Sequence, residues 1–236
     1  QDWPALKTLD PNQGKLGDQI TCLKLLTKEF SPTTPIIQTI FNPLSQAKNL
    51  AGGSRMLVHM RSDPQAFHAG LETITRSTIA FIEKAAQTGI DGIFLAVQHA
   101  QYGLFSEVEY ETFGKPYDMR LLEAAGDMWL NLLHIHGEDV MFEALAGYPA
   151  AIANWHDLET YPSLAEAGQI YNGVLCGGLR QEDTMVLGTP DQVIAEARQA
   201  IEITGGKKFI LGTGCVTPIT APHSNILAAR QIVDAL

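Results

Sequence analysis

The run His134-Ile135-His136 sets two imidazoles two residues apart. On a strand, residues i and i+2 share a face, so both rings point the same way. Two such rings can share one metal ion, and a third ligand must then come from elsewhere in the chain. Cys215 is the best placed, in Gly212-Thr213-Gly214-Cys215, where the glycines leave its sulfur accessible. A His-x-His pair with one thiolate suits Zn²⁺, with a fourth position open for water or substrate. The same residues admit a plainer reading, in which the histidines only hydrogen-bond to backbone or to Glu138 and Asp139. Cys215 also admits two other roles, a nucleophile beside a histidine or a buried thiol without chemistry.

Further polar residues follow other apolar runs. Gln98 and His99 come after Gly92–Gln98, and Trp155-His156-Asp157 ends another run. These make Gln98, His99 and Trp155 candidate substrate contacts. His156 with Asp157 is a candidate general-acid or supporting pair, or else a solvated one. Tyr117, after Pro116 at a helix start, is a candidate catalytic residue that could reach a site or only pack. Cys176 and Cys22 read as core residues. Gly177-Gly178 and Gly212-x-Gly214 match no dinucleotide or P-loop fingerprint, so no nucleotide site is assigned.

These residues gain meaning from the elements that must hold them. Six short apolar runs read as strands: Pro35–Phe41, Gly92–Gln98, Leu130–His136, Ala150–Trp155, Tyr171–Cys176 and Lys208–Gly212. They are mostly continuous, so both faces should be covered, and helical segments alternate with them, as in a parallel α/β fold. Asp63-Pro64 opens a helix whose stripe from Phe67 to Ala85 runs to a stop at Gly89. Thr189-Pro190-Asp191-Gln192 is a capping box ahead of another, which ends near Gly205-Gly206. Leu16–Phe30 reads as a leading helix and Ser224–Leu236 as a closing one. In parallel α/β folds the active site lies at the carboxyl ends of the strands. Four of the seven histidines and two of the three cysteines fall there, which is the main functional signal. Six strands suit either an open doubly wound sheet or a (βα)8 barrel lacking two units.

Composition limits the rest. Hydrophobic residues make up 45% and charged residues 18% of the 236, so the chain is globular rather than disordered. The net charge of −10 argues against a nucleic-acid or anionic-membrane surface. No apolar run approaches the ~20 residues of a membrane helix, and no signal segment opens the chain. Three widely spaced cysteines do not form a disulfide framework, and a cytoplasmic protein with reduced thiols is expected. The chain begins with Gln1 rather than Met, so a processed, trimmed or partial chain is expected.

The segments FNPLSQAKNLAGG (41–53), FGKPYDMRLLEAA (113–125), LLHIHGEDVMFEALAGYPAAIANWHD (132–157), GGLRQEDTMVLGTPDQV (177–193) and LGTGCVTPITAPHSNILAARQIV (211–233) resemble the uroporphyrinogen decarboxylase superfamily. The resemblance covers nearly the whole chain from about residue 16. It implies one domain over 1–236, a (βα)8 TIM-type barrel in which the six strands are the third to eighth. Two exposed edges would remain, and the natural chain is then expected to be longer by ~80–110 residues or to associate with itself. The superfamily holds two chemistries. Decarboxylases act on a porphyrinogen without metal; Tyr117 matches a tyrosine of their site, and Cys215 stands where they have a histidine after the last strand. Cobamide-dependent methyltransferases move methyl groups between a corrinoid protein and a thiol. There zinc is held by His-x-Cys and a later Cys, which His134 and Cys215 match while His136 replaces the middle cysteine. The resemblance therefore implies methyl transfer with Zn²⁺ and a corrinoid on a partner protein, with porphyrinogen decarboxylation as the alternative. A zinc hydrolase or an inactive, partner-binding barrel remains as a further alternative.

Overall fold

The computed structural model describes residues 2–234. Six strands form one sheet in sequential order: β1 (Ile37–Phe41), β2 (Gly92–Val97), β3 (Leu132–Ile135), β4 (Ile152–Trp155), β5 (Val174–Leu179) and β6 (Phe209–Thr213). The β1–β2, β4–β5 and β5–β6 pairs are parallel. β3 and β4 are buried along their length and β2 is buried except at Phe94, as their continuous apolar runs require. The two end strands depart from the expectation of full cover, because Phe41 is 44% and Ile210 43% exposed.

The chain divides into two compact units, and the division within β3 falls between Leu133 and His134. The first unit contains α1 (Gly14–Phe30), α2 (Pro43–Ala51), α3 (Arg55–Ser62), α4 (Pro64–Ala86), α5 (Glu107–Phe113) and α6 (Lys115–Ala124). Asp63 caps α4 through Ala66 N with proline at the first helical position, as its sequence predicts. The predicted stripe is the buried face of this helix, with Phe67, Leu71, Ile82 and Ala85 fully enclosed. Trp3 lies edge-on to Phe67 over Gly70, where a Cβ would come 2.6 Å from the indole. In α1 only Ile20 and Leu23 are buried, and Cys22, read as core, is exposed. The helical period fits either reading of Cys22; the narrow buried stripe of α1 decides it.

The first unit also encloses a polar knot. Asn42 caps α2 through Ser45 N and donates from Nδ2 to Asp118 Oδ1 at 3.1 Å. Asp118 Oδ2 accepts from Tyr110 Oη at 2.5 Å and Tyr148 Oη at 3.2 Å. No cation neutralises Asp118 in this set, so burial raises its pKa to about 7 against the pull of these three donors.

The second unit contains α7 (Phe142–Leu145), α8 (Leu164–Ile170), α9 (Pro190–Thr204) and α10 (His223–Asp234). The Thr189 capping box forms as predicted, and α9 ends at Gly205 in the left-handed conformation. Val193 and Ala197 of α9 pack with Leu179 and Ala228 into one core. The predicted closing helix is present to Asp234; its last two predicted residues lie outside the described residues. β5 corrects its predicted end. It runs through Gly177-Gly178 to Leu179 instead of stopping at Cys176. Glycines weaken strands in general, but here a Cβ on Gly177 would collide with Asp157 Oδ1. The close approach lets that carboxylate accept from Gly178 N at 3.0 Å.

Candidate metal centre

β3 carries His134, and His136 follows it by one residue beyond the strand end; Cys215 follows β6 by two. β4 ends one residue before His156. All four residues belong to the second unit, and the ligand atoms they offer lie within 4.8 Å of one another. Cys215 Sγ is 3.8 Å from His134 Nε2 and 3.5 Å from His136 Nδ1. A tetrahedral centre with metal–sulfur and metal–nitrogen bonds of about 2.3 and 2.0 Å sets such donors about 3.5 Å apart. The donors therefore stand near the spacing that a metal ion would impose.

The outer ends of two rings are held. His134 Nδ1 lies 2.6 Å from Asn154 Oδ1. His156 Nδ1 lies 3.1 Å from Glu159 Oε2, and Gln181 Nε2 donates to both oxygens of Glu159. Both acceptors call for a proton on Nδ1 and a bare lone pair on Nε2, which is the tautomer of a ligating histidine. His156 Nε2 is buried and makes no hydrogen bond of ordinary geometry. With the Cys215 sulfur beside it, this nitrogen faces the centre of the cluster, where a cation held by the other donors would sit.

The charges agree. Burial opposes ionisation of Cys215, but His134, His136, His156 and the Val216 amide outweigh it and bring the pKa to about 3. The Cys215 sulfur in turn raises the pKa of His156 above its usual value, against burial and with help from Glu159. The same sulfur position that draws protons onto imidazoles would draw a metal ion. By contrast, burial and Asp157 push Cys176 up to about 11, so it stays a thiol.

The other predicted site residues are placed as follows. Tyr117 begins α6 in the first unit, and its hydroxyl is 2.7 Å from His68 Nδ1 on α4. His99, also in the first unit, is buried with its ring edge-on to Phe105; Gln98 directly follows β2. Trp155 is fully buried against Phe142 and donates from Nε1 to Pro162 O. His156 pairs with Glu159 and not with Asp157, whose carboxylate is held by Gly178 N. Asn154, Glu159 and Gln181 carry no expected role in the sequence. Asn154 had a signal, since it stands two residues before His156 in a strand run, just as His134 stands before His136. Glu159 and Gln181 had none, because a turn and a distant strand end bring them in.

Fold and site together define a parallel α/β protein with a four-donor cluster, able to hold a metal ion, beyond its strand ends. The uroporphyrinogen decarboxylase (URO-D) family model matches residues 1–236, and the chain belongs to that family. It is similar to the methylcobamide:CoM methyltransferase MtbA of Methanosarcina mazei, 22% identical over 228 residues, covering 96% of this chain and 66% of that protein. It is also similar to the uroporphyrinogen decarboxylase of Rhodococcus jostii, 32% identical over 251 residues, covering 100% of this chain and 68% of that protein. The solved structure of a methyltransferase from Methanosarcina mazei superposes with a TM-score of 0.83 at 20% identity, over 95% of this chain and 66% of that one. That likeness shows the fold, and six sequential parallel strands fit a barrel of this type lacking two. The chain spans about two thirds of the length of these relatives.

Proposed function

We propose that the chain is the metal-bearing part of an enzyme that transfers a methyl group from a corrinoid, carried by a partner protein, to a small thiol. The observation behind this reading is the convergence of three imidazoles and one thiolate within 4.8 Å. Borderline-soft nitrogen and sulfur donors in that arrangement suit Zn²⁺. His134, His136 and Cys215 would hold it; when bound, zinc lowers the pKa of a coordinated thiol so that the thiolate forms near neutral pH.

The chain's own groups do the rest. His156 faces the fourth position with a bare Nε2, and an incoming thiol needs somewhere to leave its proton. His156 would take the S–H proton of the incoming thiol at Nε2, leaving the sulfur as a thiolate, and Glu159 would stabilise the imidazolium through Nδ1. Asn154 holds His134 in place. Three free cysteines accord with a reducing, cytoplasmic setting. Among the described residues no helix is long and apolar enough to cross a membrane.

The test combines metal analysis with two assays. The purified protein should carry about one zinc per chain, and His134→Ala and Cys215→Ser should remove it. Zinc-loaded protein should methylate a small thiol from free methylcobalamin, and the two variants should not. A protein that takes up no zinc overturns the proposal. The decarboxylase reading, which the 32% identity to the Rhodococcus protein favours, would instead give porphyrinogen decarboxylation that survives Cys215→Ser.

A further inference from the structure

We infer that Asn154 is the positioning residue of the donor cluster: a single amide sets which nitrogen His134 presents and anchors the turn that carries Cys215. The inference rests on the metal reading above. Asn154 lies on β4 and is 4% exposed. Its Nδ2 has two protons, and both are engaged, by Cys176 O at 2.9 Å and by Thr213 O at 3.1 Å. With the NH₂ end committed to carbonyls, the oxygen end must face His134. An amide oxygen cannot donate, so the 2.6 Å contact places the imidazole proton on Nδ1. In a neutral ring Nε2 is then bare, and it is Nε2 that lies 3.8 Å from Cys215 Sγ.

The second half of the amide acts on the opposite side of the cluster. Thr213, whose carbonyl accepts from Asn154, donates from Oγ1 to Cys215 O at 2.5 Å. One side chain thus spans β3, β5 and β6 and links a nitrogen donor to a sulfur donor 81 positions away in the chain. An amide that only satisfied two carbonyls would not need a histidine on its other end. A neutral partner also differs from the carboxylate behind His156, so the two rings are held by groups of different charge.

The experiment uses the full chain as wild type, Asn154→Ala and Asn154→Asp. Aspartate keeps an oxygen for His134 but turns a second oxygen on two carbonyls, and its near-identical size guards against simple misfolding; thermal melts of the metal-free proteins monitor the fold. Chelator competition should show zinc affinity about 10–100-fold weaker in both variants. Cobalt-loaded Asn154→Ala should show a shifted thiolate charge-transfer band. Long-range ¹H–¹⁵N spectra of the metal-free wild type at alkaline pH, where imidazole is neutral, should show His134 protonated on Nδ1, and Asn154→Ala should show a mixture. Zinc affinity within twofold of wild type in both variants, with an unchanged cobalt spectrum and an unmixed tautomer, overturns the inference. If the wild type binds neither metal, the metal reading fails on its own. The tautomer spectra still decide Asn154: loss of the Nδ1 proton in the variant supports its positioning role, and an unchanged tautomer overturns it.

Discussion

Cys215 and Cys176 show how strongly surroundings set the chemistry of one residue type. Cys215 is surrounded by three imidazoles and ionises at about 3, whereas burial beside Asp157 keeps Cys176 protonated up to about 11. The thiolate is the nucleophile, so at pH 6 iodoacetamide should label Cys215 in the metal-free protein well before Cys176. Added zinc should protect it. Peptide mass spectrometry reads both, and labelling of Cys176 first would contradict the assignment. As on Cys176, burial acts in the upward direction on Asp118. Its pKa is about 7 when folded against an ordinary aspartate value of 3.8, so between those values the folded state holds more protons than the unfolded. Stability should therefore fall as pH rises from about 4 to about 7, by an amount on the order of a few kcal/mol. An asparagine in its place cannot ionise, so Asp118→Asn should flatten the profile. Urea midpoints at pH 5 and pH 8 give the comparison; equal pH sensitivity in the two proteins would rule it out.

At the scale of elements, the second unit depends on two local devices. The Thr189 side chain accepts from Gln192 N while Gln192 closes the box on Thr189 N, and this starts α9 against the core of its unit. Thr189→Ala should cost about 1 kcal/mol, readable as a lower urea midpoint with an unchanged slope. Gly177 is less forgiving. A methyl there meets the Asp157 carboxylate head-on, so Gly177→Ala must displace a buried group that holds Gly178 N. A loss of about 1–3 kcal/mol is expected, whereas Gly103→Ala, with nothing within 4 Å, should be nearly silent. Comparable losses at the two glycines would show that β5 does not need the missing side chain.

For the whole molecule, the donors come from three separate stretches of chain, at residues 134–136, 156 and 215. A metal that binds only the folded form stabilises it by mass action, by about 2.7 kcal/mol at a hundredfold excess over its Kd. For a chain of this size that corresponds to a melting point higher by about 5–10 °C, which EDTA should reverse. Cys215→Ser should melt at the same temperature with and without zinc. A wild type whose melt ignores both zinc and EDTA would count against any metal at this cluster.

Features that act over a few residues are legible in the amino-acid order alone. A two-residue spacing paired His134 with His136, although β3 stops one residue short of His136; proline and cap residues started α4 and α9, and Gly205 ended α9. Five segments between residues 41 and 233 also carried the family resemblance. The folded structure sets whatever depends on register and chain path. It brought Cys215 to histidines 79 and 81 positions away, added His156 to their cluster, paired it with Glu159 in place of Asp157, and set Asn154 behind His134. It also left Cys22 exposed and carried β5 through two glycines. The physical reason is range: propensity, capping and alternation are fixed by neighbours in sequence, whereas a donor set is fixed by which strand ends pack side by side.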